Sequence, residues 1–76
     1  MPFVLIDGFR IGFYSNERNE PPHVHVLKGN NEAKVWLSPT QLDYNYGYNT
    51  REMNKVLALV KKHESEFLEM WHEHLG

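Results

Sequence analysis

Three short segments in which apolar and polar residues alternate constrain the fold of this chain most strongly. They are FRIGFY at Phe9–Tyr14, HVHVLK at His23–Lys28 and EAKVWL at Glu32–Leu37. A period of two residues is typical of β-strands that bury one face against a core. The connections between them are too short for the crossovers that parallel strands need, so we predict a mostly antiparallel sheet.

The first residues of the chain add a fourth predicted strand. PFVLI at Pro2–Ile6 is apolar on both faces, which is the pattern of a central strand in a small sheet. Asp7-Gly8 is a strong signal for a hairpin turn into the next strand. The first half of the chain is therefore predicted to form a four-stranded sheet.

The residues after the fourth strand carry the signature of a short helix. Ser38 suits the N-cap, Pro39 suits the first helical position, and Gln41 stands where a capping box has Glu or Gln. Gly47 suits the left-handed residue that ends a helix, so this helix is predicted to end near Tyr46.

A long helix is predicted from Thr50 to Leu75. Asn49 and Glu52 form a capping pattern, and apolar residues then recur at three- and four-residue steps. The predicted fold is thus α+β, with a short helix and a long C-terminal helix packed on one face of the sheet. Such a long helix exceeds the width of a small domain. Either its end overhangs and exposes Trp71 as an interface anchor, or the helix starts later or bends and Trp71 closes the core.

Composition narrows the classes of function. The 76 residues are predicted to form a single domain, 1–76, and the formal net charge of −2 argues against binding nucleic acid through bulk positive charge. There is no cysteine, which excludes disulfides, thiolate metal ligands and a cysteine nucleophile. No apolar run is long enough for a membrane span or a signal peptide, so we expect a cytoplasmic protein. We expect no cofactor.

Strand alternation assigns side chains to the two faces of the sheet. Helices can cover one face, and the best apolar set for it is Ile11, Phe13, Val24, Val26, Ala33, Val35 and Leu37. The opposite face collects two imidazoles, two cations and two aromatic rings, which we predict to form one solvent-exposed patch. These residues are Arg10, Tyr14, His23, His25, Lys34 and Trp36.

General acid–base chemistry on a phosphodiester is one use of this patch. Two histidines that titrate near neutrality can divide the acid and base roles, while a neighbouring cation stabilises developing negative charge. Aromatic rings can stack unpaired bases. The catalytic candidates are therefore His23, His25, Arg10, Tyr14 and Lys34, and the binding candidates are Trp36, Pro22 and Trp71.

Other uses of the patch stay open. The spacing of His23 and His25 lets both imidazoles reach one Zn²⁺, but zinc needs a third protein ligand and the sequence shows no obvious one. Asp7, Glu17 and Glu20 lie on predicted loops, and His63, His72 and His74 lie on the predicted long helix. We therefore predict no metal site. The same face can also be a docking surface for a partner protein, or simply the outer covering of the sheet.

Nearly the whole chain resembles a known bacterial family. MPFVLIDGFRIGFYSNERNEPPHVHV, EAKVWLSP, LDYNYGYNTREM and FLEMWHEHLG resemble the small proteins grouped as domain of unknown function 4160. Members of that family are commonly encoded beside a partner protein and are regarded as toxins of toxin–antitoxin pairs. The resemblance covers Pro21, Pro22, His23 and His25 as motif positions, without a catalytic role for any of them. The NERNEPP loop departs from the NPP approach of many relatives, so its geometry is not implied.

The resemblance and the patch together give the expected function. We expect a toxin-like component of a two-protein module, acting as a small endoribonuclease or an RNA-binding protein through the patch. The alternative is a non-catalytic interaction module or, less favoured, a metal-binding protein with His23 and His25 as ligands. The expected partner is a small protein encoded nearby, with RNA and a second copy of the chain as further candidates.

Overall fold

The computed structural model describes residues 2–76, which form an antiparallel sheet followed by two helices. The predicted α+β class is therefore confirmed. The strands are β1 (Phe3–Ile6), β2 (Phe9–Gly12), β3 (His23–Lys28), β4 (Asn31–Trp36) and β5 (Gln41–Tyr46). A 3₁₀ turn, Ser15–Glu17, lies between β2 and β3, and the helices are α1 (Thr50–Lys62) and α2 (Glu64–Leu75).

The sheet has five strands in the order β1-β2-β3-β4-β5, not the four that were predicted. Asp7 and Gly8 form the expected hairpin turn, with φ angles of 50° and 84°, which a two-residue hairpin turn of this kind requires. The prediction that β1 is a central strand was wrong, because β1 lies at an edge of the sheet. Within residues 2–76 its second apolar face is only partly covered, and Leu5 on that face is 73% exposed.

Residues 41–46 form β5 rather than the predicted short helix. Leu42, Tyr44 and Tyr46 alternate with polar residues, and this period of two fits a strand paired with β4. Ser38 has a φ of 55°, whereas a helix N-cap has an extended backbone. The SPTQ segment therefore forms the turn between β4 and β5, and Gly47 follows the end of a strand instead of a helix.

One face of the sheet is buried, as the alternation predicted. Every side chain assigned to it is at most 5% exposed: Ile11, Phe13, Val24, Val26, Ala33, Val35 and Leu37. Residues from the helices complete the core, among them Met53, Val56 and Val60 of α1 and Phe67 of α2. The hydrophobic effect of burying this apolar face is what fixes the strand register, since a shift of one residue would turn the other face inward.

The predicted long helix is divided at His63. α1 begins as expected, because the Asn49 side chain accepts a hydrogen bond of 2.8 Å from the Glu52 N–H. At His63 the backbone leaves helical geometry, with φ of −105° and ψ of 17°, and α2 begins at the next residue. Of the two alternatives for this helix, the bent one is observed.

α2 runs along one end of the sheet. At its start, the Glu64 carboxylate accepts a hydrogen bond of 2.9 Å from the Ser38 N–H in the β4–β5 turn. Near its end, the Trp71 indole packs on Phe13, just beyond β2, with ring centroids 5.0 Å apart. Trp71 is only 4% exposed, so it closes the core and does not overhang the sheet. Neither helix of residues 2–76 has the length and apolar character to cross a membrane.

Candidate functional site

The face of the sheet opposite the core is divided into an exposed part and a covered part. Near the β1–β2 and β3–β4 turns, one side chain from each strand lies in register to form a row across the sheet. We call it the outer row: Leu5, Arg10, Leu27, Glu32 and Tyr46. At the other end of this face lie His23 and His25, which are covered.

Three side chains meet at the covered end, and we call them the histidine site: Glu17, His23 and His25. The Glu17 Oε2 atom lies 2.9 Å from His23 Nε2 and 2.8 Å from His25 Nε2. The carboxylate oxygen and the two ring nitrogens all lie within 4.8 Å of one another. This is a donor set that can hold a divalent metal ion.

The local sequence brings Glu17 to the histidines. The 3₁₀ turn follows β2, and the Tyr14 N–H donates a hydrogen bond of 3.0 Å to Glu17 Oε1. This bond fixes Oε1, which also lies 3.1 Å from His25 Nε2, while Oε2 contacts both imidazoles. After the turn, Pro21 and Pro22 lead into β3, and the Pro22 carbonyl accepts a bond of 2.9 Å from Leu37 N–H. The loop is thus tied down at both ends.

The second nitrogen of each imidazole is also engaged. His23 Nδ1 lies 2.9 Å from the Pro21 carbonyl oxygen, which can only accept, so Nδ1 carries the proton. His25 Nδ1 lies 3.3 Å from Glu32 Oε2 and 3.4 Å from the Tyr44 hydroxyl. Both rings are therefore held in fixed orientations with Nε2 directed toward Glu17.

Charge and burial shift the pKa values of the acidic groups around the site. Burial alone would raise the pKa of Glu17, but the hydrogen bond from Tyr14 N–H and the contacts of the carboxylate with the His25 and His23 imidazoles outweigh it and lower that pKa. Burial and the neighbouring Glu32 carboxylate raise the pKa of the Tyr44 phenol far above its usual value. Glu17 is thus held as a carboxylate and Tyr44 as a neutral hydrogen-bond donor.

The predicted exposure of the histidines was wrong. Strand parity places them opposite the core, as expected, yet His23 is 0% and His25 is 5% exposed. Three rings lie around 5 Å from the imidazoles: Tyr14 against His25, and Trp36 and Trp71 against His23. Sequence periodicity identified the face but could not show that residues 15–22 and the end of α2 fold over it.

The two predicted cations are not free at the histidine site. Lys34 Nζ donates to Glu20 at 2.6 Å, lies 3.4 Å from Asp43, and stacks 4.6 Å from the Trp36 ring centroid. Arg10 lies in the outer row, where its guanidinium is 5.9 Å from the Phe3 ring centroid. The predicted patch is therefore divided into an exposed row that contains Arg10 and a covered site that contains His23 and His25.

The sequence reasoning missed some of the residues that matter here. Glu17 was placed on a loop without a partner, because nothing local shows that the loop returns to β3. Glu32 has the same strand parity as Lys34 and Trp36, so the signal for it was present in the alternation. Tyr44 was assigned to the short helix, and that error hid its position beside His25.

The fold and the site define a class: a small α+β protein with an antiparallel meander and a buried carboxylate–histidine site. The chain belongs to the family described as a domain of unknown function (DUF4160), whose sequence profile matches residues 8–72. The predicted family is thus confirmed. No curated protein and no solved structure shows significant similarity to the chain.

Proposed function

We propose that this protein is the toxin-like component of a cytoplasmic two-protein bacterial module and that it binds its partner protein through the outer row. The toxin-like role is proposed because proteins that this chain resembles are regarded as toxins. The binding role is carried by one observation: Leu5 and Tyr46, which are 73% and 67% exposed, lie in the same row of the sheet face that the helices leave uncovered.

The outer row has the composition of a protein-binding surface. Exposed apolar and aromatic side chains grouped on one surface are typical of interaction sites, and tyrosine, leucine and arginine are suited to such contacts. A surface concavity of about 300 Å³ lies over the row and is lined by Leu5, Arg10, Leu27 and Glu32. A partner side chain can fill this concavity and remove the apolar floor from water.

Charge favours a protein partner over RNA. The outer row carries one cation, Arg10, and one anion, Glu32, on a chain with a net charge of −2. Lys28 also lines the concavity over the row, and Lys34, beside the histidine site, is paired with two carboxylates. Binding to a polynucleotide depends on several free cations along the phosphate backbone, and this face does not supply them.

The endoribonuclease hypothesis stays a prediction, and the geometry gives it less support than partner binding. A phosphodiester would have to reach imidazoles that lie beneath Glu17 and three aromatic rings. In addition, Lys34 is paired with Glu20 and Asp43 and is not free to bind a phosphate group. Catalysis by His23 and His25 would therefore require residues 15–22 to move away from β3.

The affinity for the small protein encoded beside this chain's gene tests the binding proposal. We expect Leu5→Ser combined with Tyr46→Ser to weaken the complex by at least about tenfold in isothermal titration calorimetry, since a few large apolar and aromatic side chains carry most of the binding energy of an interface. Leu75→Ser is the matched control, because it removes an apolar side chain at the far end of α2. Equal affinity of the double variant and wild type would overturn the proposal.

Expression without the partner tests the toxin-like role separately. We expect wild-type protein to slow growth and co-expression of the partner to restore it. If His23→Ala and His25→Ala variants remain folded and equally inhibitory, catalysis by the histidines is excluded while the module proposal stands. A wild-type protein that is harmless without its partner would contradict the toxin-like role.

A further inference from the structure

The geometry points to a binding site for a divalent transition-metal ion of the zinc class, formed by Glu17 Oε2, His23 Nε2 and His25 Nε2. This site goes beyond the proposed partner binding and does not depend on it. It replaces the expectation of no metal site, because the loop supplies the third ligand that the sequence alone did not show.

The first argument for a metal site is that His23 Nε2 and Glu17 Oε2, two atoms that can donate electron pairs to a metal ion, lie close together. His23 carries its proton on Nδ1, which donates to the Pro21 carbonyl, so Nε2 presents a lone pair. That lone pair faces a carboxylate oxygen at 2.9 Å, and His23 Nε2 is buried without a hydrogen-bond partner. Two acceptors this close repel each other unless a cation lies between them. A metal ion satisfies both and avoids a buried imidazolium without solvent.

The surroundings of the ligands are the second argument. Metal-binding histidines characteristically donate their other ring N–H to a backbone carbonyl or a carboxylate, which fixes the ring and strengthens the donor. His23 donates to the Pro21 carbonyl in this way, and His25 Nδ1 lies 3.3 Å from the Glu32 carboxylate. Glu17 is oriented as well, because Tyr14 N–H holds its Oε1. The two imidazoles are thus oriented before any ion binds, and Glu17 is held beside them.

The donor set indicates the class of metal. Two imidazoles and one carboxylate without a thiolate suit Zn²⁺ and related borderline ions better than Ca²⁺ or Mg²⁺, which prefer oxygen. Tetrahedral bonds of about 2.0–2.1 Å place ligand atoms about 3.3 Å apart. Glu17 Oε2 at 2.8–2.9 Å from the nitrogens therefore has to move outward by about half an ångström. It lies on a loop that can make this adjustment, with a water completing the coordination.

The position of the ligands indicates what the ion does. Glu17 belongs to the loop of residues 15–22, whereas His23 and His25 belong to β3. An ion bound to all three ties this loop to the sheet beneath the rings of Tyr14, Trp36 and Trp71. We therefore expect the ion to stabilise the fold, which matters in a chain of this size.

Titration of metal-free protein with ZnCl₂ tests the site. The protein is purified without an affinity tag, treated with chelator and dialysed, and binding is measured by competition with a chromophoric chelator. Wild type is expected to bind one equivalent. Glu17→Gln preserves the side-chain shape and the bond from Tyr14, and it is expected to lower the Zn²⁺ affinity at least tenfold. His25→Ala is expected to lower the Zn²⁺ affinity further. His63→Ala, which removes a histidine between the two helices, is the control and is expected to leave the Zn²⁺ affinity unchanged.

The absorption spectrum with Co²⁺ gives a second readout. A tetrahedral or five-coordinate Co²⁺ site is expected to show visible bands in wild type and none in Glu17→Gln, with circular dichroism verifying that both are folded. Binding of less than half an equivalent of Zn²⁺ would overturn the proposal. A Zn²⁺ affinity of Glu17→Gln equal to that of wild type would also overturn it. So would a loss of Zn²⁺ affinity in His63→Ala as large as the loss in Glu17→Gln.

Discussion

The Trp71 indole packs against the imidazole of His23, with the ring centroids 5.0 Å apart. This contact joins the end of α2 to the start of β3 and covers the histidine from one side. Trp71 also contacts Phe13, which lies on the core side of the sheet. A single side chain at the end of the last helix therefore closes both the core and the histidine site.

Removal of the Trp71 ring is expected to destabilise the fold and expose His23. Trp71→Ala leaves a large cavity at a site that is 4% exposed, so we expect a loss of about 3–5 kcal/mol in the free energy of unfolding. Trp71→Phe keeps an aromatic ring and is expected to lose less. Urea unfolding measures both variants, and an equal, small loss for Ala and Phe would contradict the packing role.

Tyr48 is expected to make the protein sensitive to alkaline pH. Its hydroxyl donates a hydrogen bond of 2.9 Å to the Val26 carbonyl. Burial, with the charges of Glu52 and Glu32, raises the pKa of Tyr48 from 10.0 to about 12. Because the folded pKa lies above the unfolded one, the contribution to stability is present below pH 10 and is lost as pH rises toward about 12.

Tyr48→Phe tests this account. At pH 7 we expect it to cost about 1 kcal/mol, the value of a buried hydrogen bond. Above pH 10 the difference from wild type is expected to shrink, because only wild type still has this phenol to ionise. Tyr46→Phe, at an exposed position, is the control. It is expected to leave the unfolding free energy unchanged at both pH 7 and alkaline pH. Unfolding curves of wild type and Tyr48→Phe at neutral and alkaline pH give the difference in unfolding free energy. A difference that grows as pH rises would contradict the predicted role of the Tyr48 phenol.

Glu64 is expected to contribute to stability at neutral pH and not in acid. Its carboxylate accepts bonds of 2.9 Å from Ser38 N–H and 2.7 Å from the Thr40 hydroxyl. The Ser38 bond is the largest cause of a pKa below 4.5. Because the folded pKa lies below the unfolded one, the contribution is present above pH 4.5 and is lost as pH falls through the folded pKa.

Glu64→Gln is expected to lower the thermal midpoint of unfolding at pH 7. At the lowest pH at which the protein stays folded, its midpoint is expected to equal that of wild type. Glu69→Gln, on the exposed side of α2, is the control. The loss is expected to be small, since Glu64 lies near the surface. Thermal unfolding followed by circular dichroism measures it, and a deficit that persists unchanged in acid would show that the carboxylate charge is not responsible.

Gly12 is expected to tolerate no side chain. A Cβ atom there would lie 2.8 Å from Phe3 Cα, so β1 would have to shift away from β2. Gly12→Ala is expected to cost about 1–3 kcal/mol, as overpacking does. Gly29→Ala shows the cost of backbone strain without a steric clash, because a Cβ at Gly29 meets nothing within 4 Å but its φ is 59°. A Gly12→Ala variant as stable as wild type would show that β1 pairs with β2 differently.

Sequence reasoning predicted the parts of this fold that depend on periodicity and local signals. The alternation in β2, β3 and β4 gave the buried face, and the Asp7-Gly8 turn gave the first hairpin. Errors arose where two local signals competed. SPTQ followed by Gly47 imitates a capped helix, whereas the alternation of Leu42, Tyr44 and Tyr46 belongs to a strand, and pairing with β4 decided the outcome.

The histidine site was predictable only in part, because its burial depends on contacts between residues far apart in the sequence. The parity of His23 and His25 follows from β3 alone, but their burial depends on contacts distant in sequence. Glu17 and Trp71 reach them through a loop and a helix whose paths are set by the whole fold. The edge position of β1, which leaves Leu5 exposed, likewise depends on where the fifth strand adds to the sheet.

The most direct test of the proposed function is a ¹³C-methyl NMR titration of the chain with the protein encoded beside its gene. The account predicts that the methyl signals of Leu5 and Leu27 shift or broaden on binding. The signals of Leu57 in α1 and Leu68 in α2 are expected to stay in place. Changes confined to Leu57 and Leu68, with Leu5 and Leu27 unaffected, would contradict partner binding through the outer row.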